Sequence, residues 1–343
     1  MKAVAIKKNG SLDVLEQIDL PTPKPKPNEV LVKIHACALN HLDIWVREGL
    51  RGLNLKFPHI LGSDISGEIE TTGESINDLK KGDKVLLNPG LSCGHCADCL
   101  LGHDNFCRQY NIIGTLQNGG YAQFISVPRQ NILPYPQNMS WTDAAAIPLT
   151  FLTAWNMLVN KAKIQPGETV LVLAAGSGIG AIAVQIAKLF GCTVIATAST
   201  EKKLKLAQSL GADHLINYEK KDFSEEARKI TNKAGADVVF EHVGKATWEK
   251  SILATRTGGR IVTCGATSGK DATTDINHVF FRQITILGNM MGRKGDLFKI
   301  LDFVNQKKLK PVVDKVLPLE KAQEAHRIME SREQFGKIVL SIT

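Results

Sequence analysis

The pattern of apolar and polar residues divides the chain into two parts of different character. In the first part, "EVLVKIHA" (residues 29–36) alternates apolar and polar positions, which predicts a half-buried strand. "KGDKVLL" (residues 81–87) predicts a turn followed by another strand. The alternation returns in "GKIVLSIT" (residues 336–343), so we expect this last strand to rejoin the β-rich first part.

From about residue 169 the pattern changes to alternating strands and helices. The strand-like runs are "TVLVLAA", "CTVIATA", "DVVFEHVG", "RIVTCGA" and "ITILGNM", and helical patterns such as "EKKLKLAQSLGA" and "FSEEARKITNKAG" lie between them. This alternation predicts an α/β domain with a doubly wound parallel sheet covered by helices on both faces. Residues 170–187 are apolar enough to raise the question of a membrane span, but their glycines and their change of period predict a strand, a turn and a helix.

A glycine-rich turn joins the first of these strands to its helix, in "TVLVLAAGSGIGAIAVQIAKLFG". Gly176, Gly178 and Ala181 fit the pattern G-x-G-x-x-A. Glycines allow the backbone to turn tightly and to approach a pyrophosphate, and the helix N-terminus offers free N–H groups to the phosphates. In this strand–turn–helix context the motif predicts dinucleotide binding.

The end of the next strand indicates which dinucleotide is bound. An NAD site usually has an acidic residue there, which holds the ribose 2′-hydroxyl. In this chain the strand ends in Ser199 and Thr200, followed by Lys202 and Lys203, with Glu201 as the nearest carboxylate. Hydroxyl and ammonium groups suit a 2′-phosphate. We therefore expect NADP(H), with NAD(H) as the less favoured alternative.

Length, composition and charge favour an ordinary globular protein of two domains. The chain has 343 residues, of which 43% are hydrophobic and 22% charged. The net charge of +8 is spread along the chain rather than gathered in one stripe, so we expect no nucleic-acid partner. The N-terminal segment lacks the apolar core of a signal peptide, and seven cysteines is an odd number. We expect a cytoplasmic protein with a small-molecule substrate and no membrane partner.

Four of the cysteines lie in "CGHCADCLLGHDNFC", with the spacing C-x2-C-x2-C-x7-C. Cys93, Cys96, Cys99 and Cys107 can close a tetrahedral shell around one zinc ion, which leaves no open position for a substrate. The main rival is an iron–sulfur cluster, whose motifs also open with C-x2-C-x2-C. Those motifs continue with x3-C-P, whereas seven residues intervene here. The loop therefore predicts one structural Zn²⁺.

Together, the β-rich first part, the four-cysteine loop and the late glycine turn resemble the medium-chain dehydrogenase/reductase superfamily over essentially the whole chain. The resemblance implies a GroES-like catalytic domain, formed by residues 1–130 and 292–343 and carrying the zinc loop at 93–107. It also implies a Rossmann dinucleotide-binding domain at residues 131–291, and assembly into homodimers or homotetramers.

The chain departs from the zinc-type members of that superfamily at their catalytic metal. Those members use a cysteine, a histidine and a second cysteine as ligands. The corresponding positions here are Asn40 in "ALNHLD", Ser63 in "GSD" and Leu149 in "IPLTFL". Neutral oxygen donors and a hydrocarbon side chain are a poor ligand set for zinc. The sequence therefore predicts an active site without a catalytic metal.

Asn40 is similar instead to the zinc-free quinone oxidoreductase branch, whose glycine turn "AAGGVG" also resembles "AAGSGIG" here. In that alignment Lys203 and Ser199 match residues that bind the NADPH 2′-phosphate, while Thr153 and Ile179 match positions that pack on the nicotinamide ring. The candidate cofactor-binding residues are Thr153, Gly176, Ser177, Gly178, Ile179, Gly180, Ser199, Thr200, Lys203 and Gly265.

The resulting hypothesis is an NADPH-dependent reductase of quinones, enones or reactive aldehydes. Asn40 is a candidate donor to the developing oxyanion, His41 and Asp43 are candidates for proton delivery, and Asp64 for tuning them. One alternative is an alcohol dehydrogenase that rebuilds a metal site from His41, His59 and Asp64. Another is a non-catalytic NADPH-binding sensor or structural protein.

Overall fold

The computed structural model describes residues 1–50 and 52–342. The chain forms two compact units. The first unit comprises Met1–Leu149, Arg293–Gln306 and Pro311–Thr343, and the second comprises Thr150–Gly292 and Lys307–Lys310. The first unit includes the helix at Trp141–Ala145, which packs on strands of that unit.

The first unit begins with short strands connected by loops and brief helices. Its strands up to residue 149 are β1 (Lys2–Ile6), β2 (Leu15–Asp19), β3 (Glu29–Ala38), β4 (His59–Ile60), β5 (Asp64–Thr72), β6 (Lys84–Leu87), β7 (Gly90–Leu91), β8 (Asn111–Ile112), β9 (Phe124–Pro128) and β10 (Ile132–Pro134). Its α-helices are α1 (His41–Glu48), α2 (Ala97–Leu100) and α3 (Trp141–Ala145). Single 3₁₀ turns lie at Leu12–Val14, Asp104–Phe106 and Arg129–Asn131.

The chain then passes into the second unit, where strands and helices alternate as the sequence predicts. The helices are α4 (Pro148–Trp155, continued by a π-helical turn at Asn156–Lys161), α5 (Gly178–Leu189), α6 (Glu201–Ser209), α7 (Phe223–Ile230), α8 (Trp248–Ala254) and α9 (Ile276–Phe281). The strands are β11 (Thr169–Val172), β12 (Thr193–Ala198), β13 (His214–Asn217), β14 (Ala236–Glu241), β15 (Thr255–Thr263) and β16 (Thr285–Gly288).

The chain finally returns to the first unit. The last elements are α10 (Asp296–Asn305), β17 (Val313–Pro318), a 3₁₀ turn (Leu319–Lys321), α11 (Ala322–Glu330) and β18 (Lys337–Ser341). β18 pairs antiparallel with β3, with Val339 opposite Ala38, so the last strand does rejoin the β-rich part. The main sheet has the order β10-β6-β5-β3-β18-β17, and β9 also pairs with β3.

The second unit has a parallel sheet with the strand order β13-β12-β11-β14-β15-β16. This is the dinucleotide-binding order, in which the direction of winding reverses between β11 and β14. β11 ends at Val172, three residues before the end of the predicted strand, because Ala174 adopts a left-handed conformation (φ 45°) that starts the turn. The fold therefore confirms a GroES-like unit and a Rossmann unit. Among the described residues, no helix is long and apolar enough to cross a membrane.

Candidate active site

Three of the four predicted catalytic residues lie together inside the first unit. Asn40 is the N-cap of α1, Asp43 lies in the first turn of the same helix, and Asp64 opens β5. The backbone N–H of Asn40 donates to Oδ2 of Asp43 at 2.8 Å, and Nδ2 of Asn40 donates to Oδ2 of Asp64 at 2.9 Å. Asp43 and Asp64 are 1% and 0% exposed, so both carboxyl groups depend on protein partners.

A buried ammonium group, which the sequence analysis missed, completes this cluster. Nζ of Lys337, in β18, donates to Oδ1 of Asn40 at 2.6 Å and to Oδ2 of Asp64 at 2.9 Å. Lys337 is 4% exposed. An ammonium has only donors, so it fixes the carbonyl oxygen of the Asn40 amide toward itself and the amide nitrogen toward Asp64. The backbone N–H of Leu149 donates to the other Asp64 oxygen at 2.7 Å.

A chain of buried hydrogen bonds runs from Asp43 to a helix of the C-terminal part. Arg47 Nη1 lies 3.2 Å from Nδ1 of His326, whose Nε2 lies 3.1 Å from the hydroxyl of Tyr121. Arg47 has only donors, so Nδ1 of His326 accepts and Nε2 carries the hydrogen. Tyr121 then accepts from His326 and donates to Oδ2 of Asp43 at 3.1 Å. Each group in this chain thus donates to the next one, and the Asp43 carboxylate is the final acceptor.

The pKa values of two groups in this chain reflect their burial. Burial, opposed by the hydrogen bond from Asn40 and the charge of Lys337, raises the pKa of Asp43 to about 6. Burial and the neighbouring charge of Arg47 lower the pKa of His326 to about 3, so this imidazole is neutral at physiological pH. A neutral imidazole is what the direction of the hydrogen-bond chain requires.

The remaining predicted polar residues have other partners. His41 lies in the first turn of α1, and its ring packs edge-on against Trp45 at 4.9 Å. Ser63 donates from its hydroxyl to the backbone oxygen of Ile113 at 2.7 Å. His59 is buried, with Nε2 3.2 Å from the backbone oxygen of Gly114, and burial lowers its pKa. Within the described residues, His41, His59 and Asp64 do not form a group of possible metal ligands.

The four cysteines of the loop do form such a group. The sulfur atoms of Cys93, Cys96, Cys99 and Cys107 all lie within 4.8 Å of one another, and those of Cys93 and Cys99 are 3.9 Å apart. Zinc–sulfur bonds of about 2.3 Å in a tetrahedron place sulfur atoms roughly 3.8 Å apart. The donor set and its spacing therefore fit one zinc ion with a closed shell.

The predicted phosphate turn lies between β11 and α5 in the second unit. Gly176 and Ser177 form the turn, and Gly178, Ile179 and Gly180 form the first turn of α5. Ser177 caps the helix, since its Oγ accepts from the backbone N–H of Gly180 at 3.0 Å. A side chain at Gly180 would meet the backbone oxygen of Ala174 at 2.4 Å, so only glycine fits there. Ser177 thus replaces a turn glycine by acting as the N-cap.

The other candidate cofactor residues lie at the same edge of the parallel sheet, with one exception. Ser199 and Thr200 follow β12, and the Thr200 hydroxyl accepts from the backbone N–H of Lys203 at 3.2 Å, which starts α6. Gly265 follows the end of β15. Thr153 lies instead in α4, where its hydroxyl is 3.8 Å from the sulfur of Met291.

Two residues at the end of β14 were not predicted, although they lie where the winding of the sheet reverses. Nε2 of His242 lies 3.0 Å from the backbone oxygen of Leu173 and 3.4 Å from Oγ of Ser177. The buried Glu241 carboxylate accepts hydrogen bonds from Thr247 at 2.7 Å and Ser251 at 2.8 Å. The signal in the sequence was a pair of titratable residues, Glu-His, at the end of a buried strand.

Comparison with known proteins agrees with these two units. Residues 26–137 match the alcohol dehydrogenase GroES-like domain, and residues 178–306 match the zinc-binding dehydrogenase family. The chain therefore belongs to the medium-chain dehydrogenase/reductase superfamily. It is a pyridine-nucleotide oxidoreductase, like its relatives.

Relatives of two kinds cover nearly all of the chain. An NAD-dependent alcohol dehydrogenase of Sulfurisphaera tokodaii is 32% identical, covering 99% of both chains. The human quinone oxidoreductase is 28% identical and covers 99% of this chain and 97% of its own. Among solved structures, an NAD-dependent alcohol dehydrogenase is 51% identical over 100% of both chains, with a TM-score of 0.97.

Replacing one cysteine of the loop tests the structural zinc. We expect Cys99→Ser to lose the bound zinc and to lower the thermal midpoint by roughly 10 °C, because a closed zinc shell contributes directly to folding. Metal analysis and thermal denaturation measure both effects. The control is Cys264→Ser, which removes a thiol outside the cluster and should keep the zinc. Full zinc content in Cys99→Ser would contradict the assignment.

The buried Asp43 carboxyl predicts a pH dependence of stability. Its pKa of about 6 lies above the usual 3.8, so the folded protein binds this proton more tightly than the unfolded chain does. The contribution of Asp43 to the free energy of unfolding is fully present below about pH 4 and is lost as the pH rises through 6. The loss amounts to about 3 kcal/mol. Urea denaturation from pH 4 to pH 7 measures the free energy of unfolding. In Asp43→Asn this free energy should not show the fall that Asp43 causes in the unmodified protein.

The matched control for this pH dependence is Asp19→Asn, which changes an exposed carboxyl group at the end of β2. Its curve of unfolding free energy against pH should run parallel to that of the unmodified protein. If Asp43→Asn also gave a parallel curve, the raised pKa of Asp43 would be refuted, whatever the absolute stability of the variant.

Proposed function

We propose that this oxidoreductase transfers hydride from NADPH to a quinone, an enone or a reactive aldehyde, and that it does so without a catalytic zinc. The observation that carries the proposal is the position of Lys337. Its ammonium group lies 2.6 Å from Oδ1 of Asn40, which stands at a metal-ligand position of the zinc-type members, and 2.9 Å from Oδ2 of Asp64.

The side chains at these positions do not fit a zinc ion. Asn40 is already bound to Lys337 and Asp64, Ser63 donates to a backbone oxygen, and Leu149 offers hydrocarbon. Zinc prefers thiolate, imidazole and carboxylate ligands. A divalent ion beside Asp64 would also meet the positive charge of Lys337 at short range. The lysine thus neutralises a carboxylate that would otherwise attract a metal.

The amide of Asn40 is the best candidate for contact with the substrate. When bound, a nicotinamide supplies the hydride. Lys337 and Asp64 hold the Asn40 amide in one orientation and leave the second hydrogen of Nδ2 for another acceptor. A conjugated carbonyl spreads the developing charge to an oxygen that a fixed amide donor stabilises, so it needs no Lewis acid. Asp43 accepts from Asn40 and Tyr121 and acts as a positioning residue.

The start of α6 supports NADPH rather than NADH. Ser199, Thr200 and Lys203 follow β12, where the ribose of a dinucleotide is bound in this fold. The nearest carboxylate, that of Glu201, accepts instead from Nδ2 of Asn217 at 2.9 Å and from Lys220 at 3.0 Å. One oxygen of Glu201, Oε1, thus already has two partners, which supports a cofactor whose 2′ group is a phosphate rather than a hydroxyl.

A second candidate function is the NAD-dependent oxidation of an alcohol. The similarity to NAD-dependent alcohol dehydrogenases, including the 51% identical structure, favours it. Alcohol oxidation differs from the proposed reduction in using NAD⁺ and in needing an electrophile that polarises the alcohol oxygen.

A hydride-transfer screen separates the two functions. NADPH and NADH are tested with a quinone, an enone and an aldehyde, NAD⁺ and NADP⁺ with primary and secondary alcohols, and zinc is counted on the same sample. We expect reduction with NADPH and one zinc per chain. A second zinc whose removal abolishes turnover would overturn the proposal. The control is Cys99→Ser, whose folded fraction should lack zinc and still reduce the substrate.

The preference for NADPH is tested at Lys203. We expect Lys203→Ala to weaken NADPH binding by about 1–3 kcal/mol and to leave NADH binding nearly unchanged, because only NADPH carries the 2′-phosphate. Fluorescence titration of both nucleotides measures the difference. Lys205→Ala, on the same helix, is the charge-matched control. Equal losses for the two nucleotides would exclude a role of Lys203 at the phosphate.

A further inference from the structure

A cationic cavity lies in the second unit, away from the predicted cofactor turn. It has a volume of about 760 Å³. Its charged and titratable lining residues are Arg228, Lys233, Arg256, His278, Arg282 and Glu225. Four permanent cations thus face one carboxylate. The volume lies in the range of small-molecule sites, which is about 300–1,000 Å³.

The cavity lies at the opposite edge of the sheet from the dinucleotide. Lys233 comes just before β14, Arg256 lies at the start of β15, and Arg282 comes just before β16. In a parallel sheet the amino ends of the strands form one edge, and the phosphate turn follows the carboxyl end of β11. The bound nucleotide therefore does not account for this collection of positive charge.

Two of the four cations have hydrogen-bond or ion-pair partners within the chain. Arg282 donates through Nη1 to the backbone oxygen of Ile252 at 3.1 Å, at the C-terminal end of α8. Arg256 pairs through Nε with Asp237 at 2.5 Å. Both are thus held in place by their own partners.

The other two cations, Arg228 and Lys233, differ from these in their contacts. Within residues 1–50 and 52–342, the side chains of Arg228 and Lys233 have no hydrogen bond or ion pair. Arg228 is half-buried and lies near Arg282, and burial together with the charge of Arg228 lowers the pKa of Arg282. Two guanidinium groups that lie near each other repel, and a bound anion would offset this repulsion.

We propose that this cavity binds a small organic polyanion that carries two or more phosphate or carboxylate groups. Arg228 and Lys233 would bind the anionic groups, while Arg282 and Arg256, fixed by their own contacts, add a preorganised positive field. Guanidinium groups favour such ligands because their planar donors match phosphate and carboxylate oxygens. The site is independent of the proposed substrate and of the choice between NADPH and NADH.

Isothermal titration tests this site on the complete enzyme. Fructose 1,6-bisphosphate is the phosphate probe and propane-1,2,3-tricarboxylate is the carboxylate probe. The titrations are made at constant ionic strength with saturating NADPH or NADH, whichever binds more tightly, so that the phosphate turn is filled. We expect one probe to bind with one site per chain. The probe that binds more tightly identifies the preferred anionic group.

The test variant is Arg228→Gln combined with Lys233→Gln. It should weaken the binding of that probe by about tenfold or more and leave hydride transfer and the thermal midpoint unchanged. The control, Lys24→Gln combined with Lys56→Gln, removes the same charge from exposed positions of the first unit and should change the affinity less than about twofold. Binding of neither probe at about 10 mM, or equal losses in both variants, would overturn the proposal. If the double variant unfolded, Lys233→Gln alone, at an exposed residue, would serve.

Discussion

The first unit depends on the buried positive charge of Lys337, which has been taken out of water. An ammonium group at 4% exposure is tolerated only with a carboxylate and further acceptors close by, and Asp64 and Asn40 supply both. Their geometry in turn fixes the start of α1, the start of β5 and the position of β18. Removing either member of the ion pair would leave an isolated buried charge, which typically costs about 3–5 kcal/mol. The charge pair therefore constrains the arrangement of three elements as well as the candidate active site.

The hydrogen-bond chain beside this pair has a fixed direction from donor to acceptor. Arg47 has no acceptor and Asp43 ends the chain as a carboxylate, so each group between them has one possible hydrogen position. His326 and Tyr121 are therefore held in defined states rather than free to exchange donor and acceptor roles. A fixed pattern of donors is what a site needs when it stabilises charge without reorganising during the reaction.

The features that were predictable from the sequence are those whose cause is local. The Rossmann unit follows from the periodicity and from glycines within one turn, and the zinc loop follows from four cysteines within fifteen residues. Lys337 and His326 were not predictable, because a lysine in an alternating strand and a histidine in an amphipathic helix usually face solvent. Their burial depends on partners 273 and 205 residues away in the chain. The packing of α3 was not predictable for the same reason, since α3 contacts β3 and β5, which are distant in sequence.

The discontinuous course of the first unit has a consequence for the order in which the protein can be built during translation. Asp64 is synthesised early and its counter-charge on Lys337 follows 273 residues later, after the entire second unit. Until then the Asp64 carboxyl group lacks the cation that it pairs with in the folded protein, so burying it as a carboxylate is costly. The Rossmann unit is almost continuous in sequence and can fold first. The Rossmann unit is thus completely synthesised before the Lys337–Asp64 pair can form.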